Sequence, residues 1–235
     1  MSLLTIAQDA ASKIGLRRPA SVLASSDREV IRLLNCIKEE CVDLVESAYW
    51  EEIRAEQTFT AIAGSVQTGI LPSDYNRMVP ETFWDRSNAR LITNVASAVE
   101  WQNLKAIGYL GPEYKFTVRG GSLYILPEMA GGETLAFEYI SNNYILAGST
   151  PQATFTADTN TLKIDEPLVT LGSIWRFKGD IGQPFAADFE KYRIRRELLL
   201  GNNEPQSGTM LSADIFGGGR AWGGAPTAGG IDLYR

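Results

Sequence analysis

Three acidic residues that lie close in sequence to two tryptophans are the candidates for catalysis in this chain. Glu81 and Asp85 flank Trp84, and Glu100 directly precedes Trp101. Glycoside hydrolases use two carboxyl groups, one as general acid and the other as base or nucleophile. Glu81 with Asp85, or Asp85 with Glu100, is therefore a candidate pair for a cell-wall-lytic enzyme.

A structural role explains the same acids more simply. Residues 74–92 read DYNRMVPETFWDRSNARLI, in which arginines alternate with the acids and one proline stiffens the backbone. Arginine pairs readily with carboxylates, and a tryptophan can hold an irregular segment by packing. We therefore predict a packed structural loop and no catalytic residue. Its members are Pro80, Glu81, Trp84, Asp85, Arg86 and Arg90.

Residue types that the chain lacks exclude several reactions. It contains no histidine, which removes the Ser-His-Asp and Cys-His arrangements and the commonest zinc ligand. Its two cysteines, Cys36 and Cys41, fall in one predicted helix. Side chains five residues apart on a helix are rotated by roughly 140° and cannot form a disulfide. We expect buried thiols, no metal and no cofactor.

The overall charge limits the possible partners. The formal net charge is −6 and the sequence pI is about 4.9, which argues against a surface that grips nucleic acid. An acidic wall suits a protein that lets DNA pass without specific binding. No apolar run approaches the roughly 20 residues that span a bilayer, and the first residues lack the basic region of a signal peptide. We expect no membrane contact.

Residues 1–54 are predicted to form N-terminal helices. An apolar stripe over residues 2–14 lies between Ser2, a candidate N-cap, and Gly15, a candidate left-handed C-terminal residue. Ser26 and Glu29 form a capping-box pair ahead of a second helix of roughly seven turns. Its wide apolar face needs cover from another helix, either of the same chain or of a neighbouring subunit.

Residues 55–165 are predicted to form an antiparallel β-domain with one short helix. Alternating apolar residues indicate strands in EQTFTAIA and ETLAFEYISNNYIL, and a last β piece in PQATFTADTNTLKID. YKFTVRGGSLYILP reads as a hairpin that turns at Gly120-Gly121. SAVEWQNLKAIG is the expected helix.

Residues 166–201 return to a helical pattern, with Pro167 and Pro184 at the predicted starts of two helices. We expect these helices to pack on the N-terminal ones. The second carries a basic cluster, which is either a solvated face or a surface for an acidic partner. Its members are Lys191, Arg193, Arg195 and Arg196. The predicted fold is thus α+β, a helical bundle of N- and C-terminal helices with an inserted antiparallel β-domain.

Residues 202–235 are rich in glycine and are predicted to form an extended C-terminal arm. Apolar side chains recur along this segment, as they would in an arm that orders on a partner. The candidate partner-binding anchors are Phe216, Trp222, Ile231, Leu233 and Tyr234.

Several blocks, in this order, resemble the head–tail adaptor family of tailed bacteriophages, also called head-completion or connector proteins. The resemblance covers roughly residues 70 to 200. The blocks are DYNRMVPETFWDRSNARLI at 74–92, EWQNLKA at 100–106, RGGSLYILP at 119–127, ETLAFEYIS at 133–141 and LVTLGSIWRFKGDIG at 168–182.

This resemblance implies a structural protein of the virion neck, assembled in the host cytoplasm. It implies a ring, by analogy dodecameric, that docks on the portal protein, receives tail proteins such as a nozzle or tail tube, and lets DNA pass through its lumen. A cell-wall-binding or lytic tail protein, and a tail-tube or collar protein, are the alternatives.

Overall fold

The computed structural model describes residues 2–203, which form an α+β structure with five α-helices and a curled, mixed β-sheet. The predicted fold class is therefore confirmed at this level. The helices are α1 (Leu3–Ile14), α2 (Arg28–Ser47), α3 (Ala98–Ala106), α4 (Glu166–Asp180) and α5 (Ala186–Asn203). The arm predicted for residues 202–235 lies, apart from the end of α5, outside the described residues.

The ends of α1 follow the sequence signals. The side chain of Ser2 accepts a hydrogen bond from the Thr5 amide, and Gly15 takes a left-handed conformation with φ 80°. Glycine adopts that conformation without the steric penalty of a Cβ atom. The predicted boundaries of this helix are confirmed.

Helix α2 has 20 residues and is shorter than predicted. It also begins one residue later than expected for a capping box with Ser26 as the N-cap. Asp27, rather than Ser26, is the N-cap, and its carboxylate accepts from the Glu29 amide at 2.9 Å. A carboxylate at this position also interacts favourably with the positive end of the helix dipole.

The strands form two sheets. The larger has the order β1-β8-β4-β5-β6-β7-β2, with β3 also paired to β8, and the smaller has the order β10-β9-β11. The strands of the larger sheet are β1 (Arg54–Thr60), β2 (Gly64–Gln67), β3 (Tyr75–Met78), β4 (Trp84–Asp85), β5 (Arg90–Asn94), β6 (Tyr114–Arg119), β7 (Ser122–Met129) and β8 (Thr134–Ser141). The smaller sheet contains β9 (Ile145–Ala147), β10 (Thr150–Gln152) and β11 (Thr161–Leu162).

The prediction of a purely antiparallel domain was wrong, because β5 and β6 pair in parallel. Helix α3 connects them, and a helical crossover is the usual way to bring two consecutive strands into parallel register. The predicted hairpin is present: β6 and β7 pair antiparallel, and Gly120 and Gly121 have φ values of 55° and 74°.

Two apolar cores lie within the described residues. One is built mainly by α1, α2 and α4, with Tyr192 of α5 and Val79 and Ile140 of the β-region. The other lies inside the curled sheet and contains Phe83, Phe116 and Phe137. Helix α4 contacts α1, α2 and α5, and thus occupies the centre of the helical layer.

A buried acid lies at the centre of that helical layer. Glu40 of α2 is fully buried and accepts a hydrogen bond from Arg176 Nε at 2.7 Å. Desolvation raises the pKa of its carboxyl, against the opposing effect of Arg176. Gly172 leaves the room this side chain needs, since an added Cβ would lie 2.2 Å from Glu40 Cδ.

Both cysteines are free and buried, as predicted. The Cys36 thiol donates to Asp180 Oδ2 at 3.6 Å, and burial, reinforced by that carboxylate, raises its pKa to about 12. Burial also raises the pKa of Cys41. Neither thiol is therefore a ready nucleophile, because the thiolate is the reactive form.

Candidate partner-binding cleft

Residues 74–92 form three short strands rather than one irregular loop. Asp74 holds the entry to β3, accepting hydrogen bonds from Ser141 Oγ at 2.6 Å and from the Tyr139 hydroxyl at 3.1 Å. Burial, with the charge of Asp74, raises the pKa of Tyr139 to about 12, so the phenol stays a donor. These bonds join β3 to β8.

Asp85 closes the turn between β4 and β5. Its buried carboxylate accepts from the Ser87 amide at 3.0 Å and the Asn88 amide at 3.2 Å, and from Asn88 Nδ2 at 2.7 Å. The predicted pairing with Arg86 or Arg90 was wrong. The short aspartate side chain loses little conformational entropy when it accepts hydrogen bonds from donors two or three residues away. An ion pair with a long arginine side chain would cost more entropy.

The arginines of this segment have other roles. Arg86 pairs with Glu56 of β1 at 2.8 Å, and its hydrogen bond lowers the pKa of that carboxyl. Glu81, at a left-handed φ of 62°, forms no ion pair within residues 2–203, and neither does Arg90. The predicted ion-pair network of the loop is therefore absent from this part of the chain.

Trp84 is not the packing anchor that the sequence indicated. Its side chain is 43% exposed, whereas that of the neighbouring Phe83 is 1% exposed. Phe83 packs edge-on against Phe116 and Phe137, with ring centroids 5.0 Å and 5.7 Å away. Adjacent strand residues point to opposite faces, so a single register decides which aromatic is buried.

The geometry argues against a catalytic role for either carboxylate pair, Glu81 with Asp85 or Asp85 with Glu100. The oxygens of Asp85 are held by donors of its own turn, while Glu100 is exposed near the start of α3. A general acid or base must reach the proton it transfers, and Asp85 is buried. Among residues 2–203, no cluster of histidine, cysteine or acidic side chains is arranged to hold a metal ion.

The main concavity near these residues is a cleft of about 600 Å³ between β3 and β5. Its walls include Arg77 to Glu81 on one side and Leu91 to Asn94 on the other. Phe83, Ile92 and Phe116 form its apolar base, and all three are nearly inaccessible to solvent. Of the predicted loop residues, the structure places Pro80 and Glu81 in this cleft.

Arg77 connects one wall of the cleft to the helical layer. Its guanidinium donates to the Val45 carbonyl at 2.9 Å and to the Ala48 carbonyl, and it lies 4.9 Å from the centre of the Tyr49 ring. The last carbonyls of a helix lack partners within the helix. Arg77 therefore caps α2 from the sheet, which the sequence patterns did not predict.

Two further groups of exposed apolar side chains lie outside the cleft. On and after α3, Val99, Ile107 and Leu110 are 80%, 65% and 87% exposed. On α5, Ile194 and Leu198 are 50% and 65% exposed. Periodicity alone did not single them out, because neither helix has a strongly one-sided apolar pattern.

The basic cluster on α5 is largely paired within the chain. Arg193 bonds Glu190 and Glu197 of the same helix, and Arg195 makes two hydrogen bonds of 2.8 Å to Asp165. Lys191 lies 3.9 Å from Asp188. The cluster is thus not a block of free positive charge, which weakens the hypothesis that it meets an acidic partner. The anchors Phe216, Trp222, Ile231, Leu233 and Tyr234 lie outside the described residues.

No protein-family model and no curated protein matches this chain. Within residues 2–203, no helix is long and apolar enough to cross a membrane.

Proposed function

We propose that this protein is a structural adaptor of a tailed phage virion, which forms a ring between the portal and the tail. The observation that carries the proposal is the presence of two separate groups of exposed apolar side chains, one on and after α3 and one on α5. A ring subunit contacts a neighbour on each side through two different patches. The exposed side chains of α3 and of α5 supply two such patches on different elements.

The clustering of the exposed apolar side chains favours a protein interface over an ordinary solvent-exposed surface. Single apolar residues on a surface need no explanation, but Val99, Ile107 and Leu110 occur within one short helix and its exit. Exposed apolar groups of this kind mark contact sites. We infer that they are buried in the assembled ring.

The acidic composition fits a ring through which DNA passes. With a formal net charge of −6, and with most arginines of α5 paired to acids, the chain has no strong electrostatic attraction for phosphates. The order of the sequence blocks described above gives the adaptor interpretation its specificity. In this proposal, α1, α2, α4 and α5 form a bundle from which the β-region projects, and portal and tail proteins are the partners.

Electron microscopy of the chain mixed with the portal complex of its own phage tests this proposal. The expected result is a ring of density on one end of the portal, absent without the added chain. Variants Val99→Ser and Leu110→Ser should reduce ring formation, because they remove contact area without disturbing a core. Their matched control is Thr58→Ser, at an exposed position of β1.

Peptidoglycan turnover by the purified protein is the complementary assay. Clear activity that is lost in Glu81→Gln or Glu100→Gln would replace the adaptor with a lytic enzyme. Absence of any density on the portal, with the chain folded, would equally overturn the proposal.

A further inference from the structure

The charges of helix α2 and of its flanking segments are separated by sign. Residues 13–32, which lead into the helix and form its first turns, contain five lysines and arginines and two acids. Residues 39–52, its second half and exit, contain six acids and no lysine or arginine. Solvent-accessible arginines form the basic end, namely Arg17, Arg18, Arg28 and Arg32. Exposed glutamates form the acidic end, namely Glu39, Glu46 and Glu52.

The charged residues that lie within α2 share one face of the helix. From Arg28 to Glu46 they follow one another at intervals of four, seven and seven residues, and such intervals return to the same side of an α-helix. Ile31 and Val42 lie beside them and are 43% and 44% exposed. This face of α2 is therefore not covered by another element of the described residues.

The loop before α2 adds its cations to the same end. Arg17 and Arg18 border a cavity of about 400 Å³ together with Ser26 and Asp27 at the start of the helix. The four arginines of the basic end thus surround the beginning of α2.

Most of these charges have no ion pair within residues 2–203. Arg18 lies 3.7 Å from Asp9, while the other arginines of the basic end and all three glutamates of the acidic end form none in this part of the chain. Arg28 and Glu46 are 18 residues apart, roughly 27 Å along the helix. The Debye length is about 8 Å at physiological ionic strength. The two ends therefore do not neutralise each other, and both stay available for charges on another molecule.

This distribution of charge is unfavourable for the helix itself. Cations at the start of a helix and acids at its end oppose the helix dipole, and α2 begins with Arg28 and has no basic residue in its last turn. Arg28 and Arg32 are four residues apart, a spacing at which like charges destabilise a helix. Asp27 and Glu29 offset the effect at the first turn only. Charges that do not stabilise their own helix are explained by contact with a partner.

We propose that the basic end of α2 in one copy of the chain binds the acidic end of α2 in the next copy. Opposite charges make the two surfaces complementary, and Ile31 and Val42 add an exposed apolar side chain to each. A contact between two different surfaces of one chain repeats from copy to copy around a closed ring, so the inference rests on the proposed function. A nucleic acid would use the basic end alone and leave the acidic end unmatched.

Charge reversal in the full-length chain tests the pairing on the portal. Arg28→Glu/Arg32→Glu reverses the basic end, and Glu39→Lys/Glu46→Lys reverses the acidic end. Each variant alone should form rings at least about tenfold less readily, because like charges then meet at the contact. A mixture of the two variants should restore the ring, and so should a chain that carries all four substitutions. That chain is the matched control, since its net charge equals that of the wild type.

The free variants give a second test that does not need the portal. Both keep a net negative charge, so mixing them creates no general attraction. Sedimentation at about 0.1 M salt should still show that they bind each other at least about tenfold more tightly than either binds itself. About 1 M salt should abolish this binding, because the Debye length falls from about 10 Å to about 3 Å.

Melting temperatures separate this role from a purely structural one. Reversal of either end should not lower the melting temperature, because the new charges favour the helix dipole. If a reversed variant does not fold, Arg28→Gln/Arg32→Gln removes the charge without adding repulsion and should still weaken ring formation.

Equal ring formation by wild type and by both reversed variants would overturn the pairing and leave the adaptor role intact. A loss that neither the mixture nor the chain with four substitutions restores would also overturn it, and would assign the arginines to another acidic partner such as DNA phosphates. If the wild type itself forms no ring, the proposed function fails. Binding between the free variants then still decides whether the two ends pair.

Discussion

At the scale of single residues, Gly172 determines whether α4 can lie against α2. An added Cβ would lie 2.2 Å from Glu40 Cδ, and that carboxylate is fully buried. We expect Gly172→Ala to lower the free energy of unfolding by about 1 to 3 kcal/mol, the usual cost of overpacking. Urea denaturation measures it.

Gly179, in the same helix, is the matched control. An added Cβ there would meet only the Phe185 ring, at 3.8 Å. Gly179→Ala should be neutral or stabilising by up to about 1 kcal/mol, because alanine favours the helix. Equal destabilisation by both substitutions would contradict the role assigned to Gly172.

Glu40 predicts a specific dependence of stability on pH. Desolvation raises its pKa in the folded protein, with Asp43 adding to the rise and Arg176 and Tyr192 opposing it. A raised pKa means that the folded state holds the proton more tightly than the unfolded chain. Its contribution is fully present below the ordinary value of 4.5 and is lost as the pH rises through the folded pKa.

Glu40→Gln removes this titration. The wild-type protein should therefore lose stability relative to Glu40→Gln as the pH increases above 4.5. Unfolding free energies measured over a pH series test this, with Glu39→Gln on the exposed side of α2 as the control. A difference between wild type and Glu40→Gln that stays constant with pH would refute the assignment.

At the scale of elements, the register of β4 decides which aromatic side chain stabilises the sheet. Phe83 is 1% exposed and packs on three other phenylalanines, whereas Trp84 is 43% exposed. We expect Phe83→Ala to cost about 3 to 5 kcal/mol and Trp84→Ala about 1 kcal/mol or less. Thermal denaturation of the two variants would show the contrast. A larger loss in Trp84→Ala would restore the loop-anchor interpretation.

The contact between the sheet and α2 depends on Arg77. Its guanidinium bonds the carbonyls of Val45 and Ala48, and methionine could fill the same volume without donating. Arg77→Met should cost about 1 to 3 kcal/mol, since it leaves carbonyls without a partner. Arg90→Met is the control, because Arg90 is exposed and has no ion pair within residues 2–203. Similar losses in the two variants would show that the cap contributes nothing.

At the scale of the whole molecule, the proposed adaptor role predicts that the free chain is a monomer at low concentration and closes into a ring only on the portal. Sequential assembly of this kind needs a surface that becomes competent on docking. Multi-angle light scattering measures the mass directly, with 25.8 kDa for one chain. A stable ring without portal would refute this order of events, although not the adaptor role.

The sequence by itself determined the local structure where neighbouring residues decide it. Ser2 and Gly15 mark the ends of α1, Gly120-Gly121 turn the β6–β7 hairpin, and Pro167 lies in the first turn of α4. In each case the deciding hydrogen bond or backbone angle lies within a few residues. Composition likewise excluded histidine chemistry, because an absent residue type needs no structure to interpret.

Only the tertiary structure decided the roles within residues 74–92. The pairing of β4 with β8 buries Phe83 and exposes Trp84, and the burial of Asp85 inside its own turn removes it from the arginines. Arg77 finds its acceptors on α2, roughly 30 residues earlier in the chain. The cleft exists because β3 and β4 share one edge of β8 while β5 extends beyond β4. These outcomes depend on register and long-range contacts, which periodicity does not encode, because a shift of one residue exchanges the buried and exposed faces of a strand.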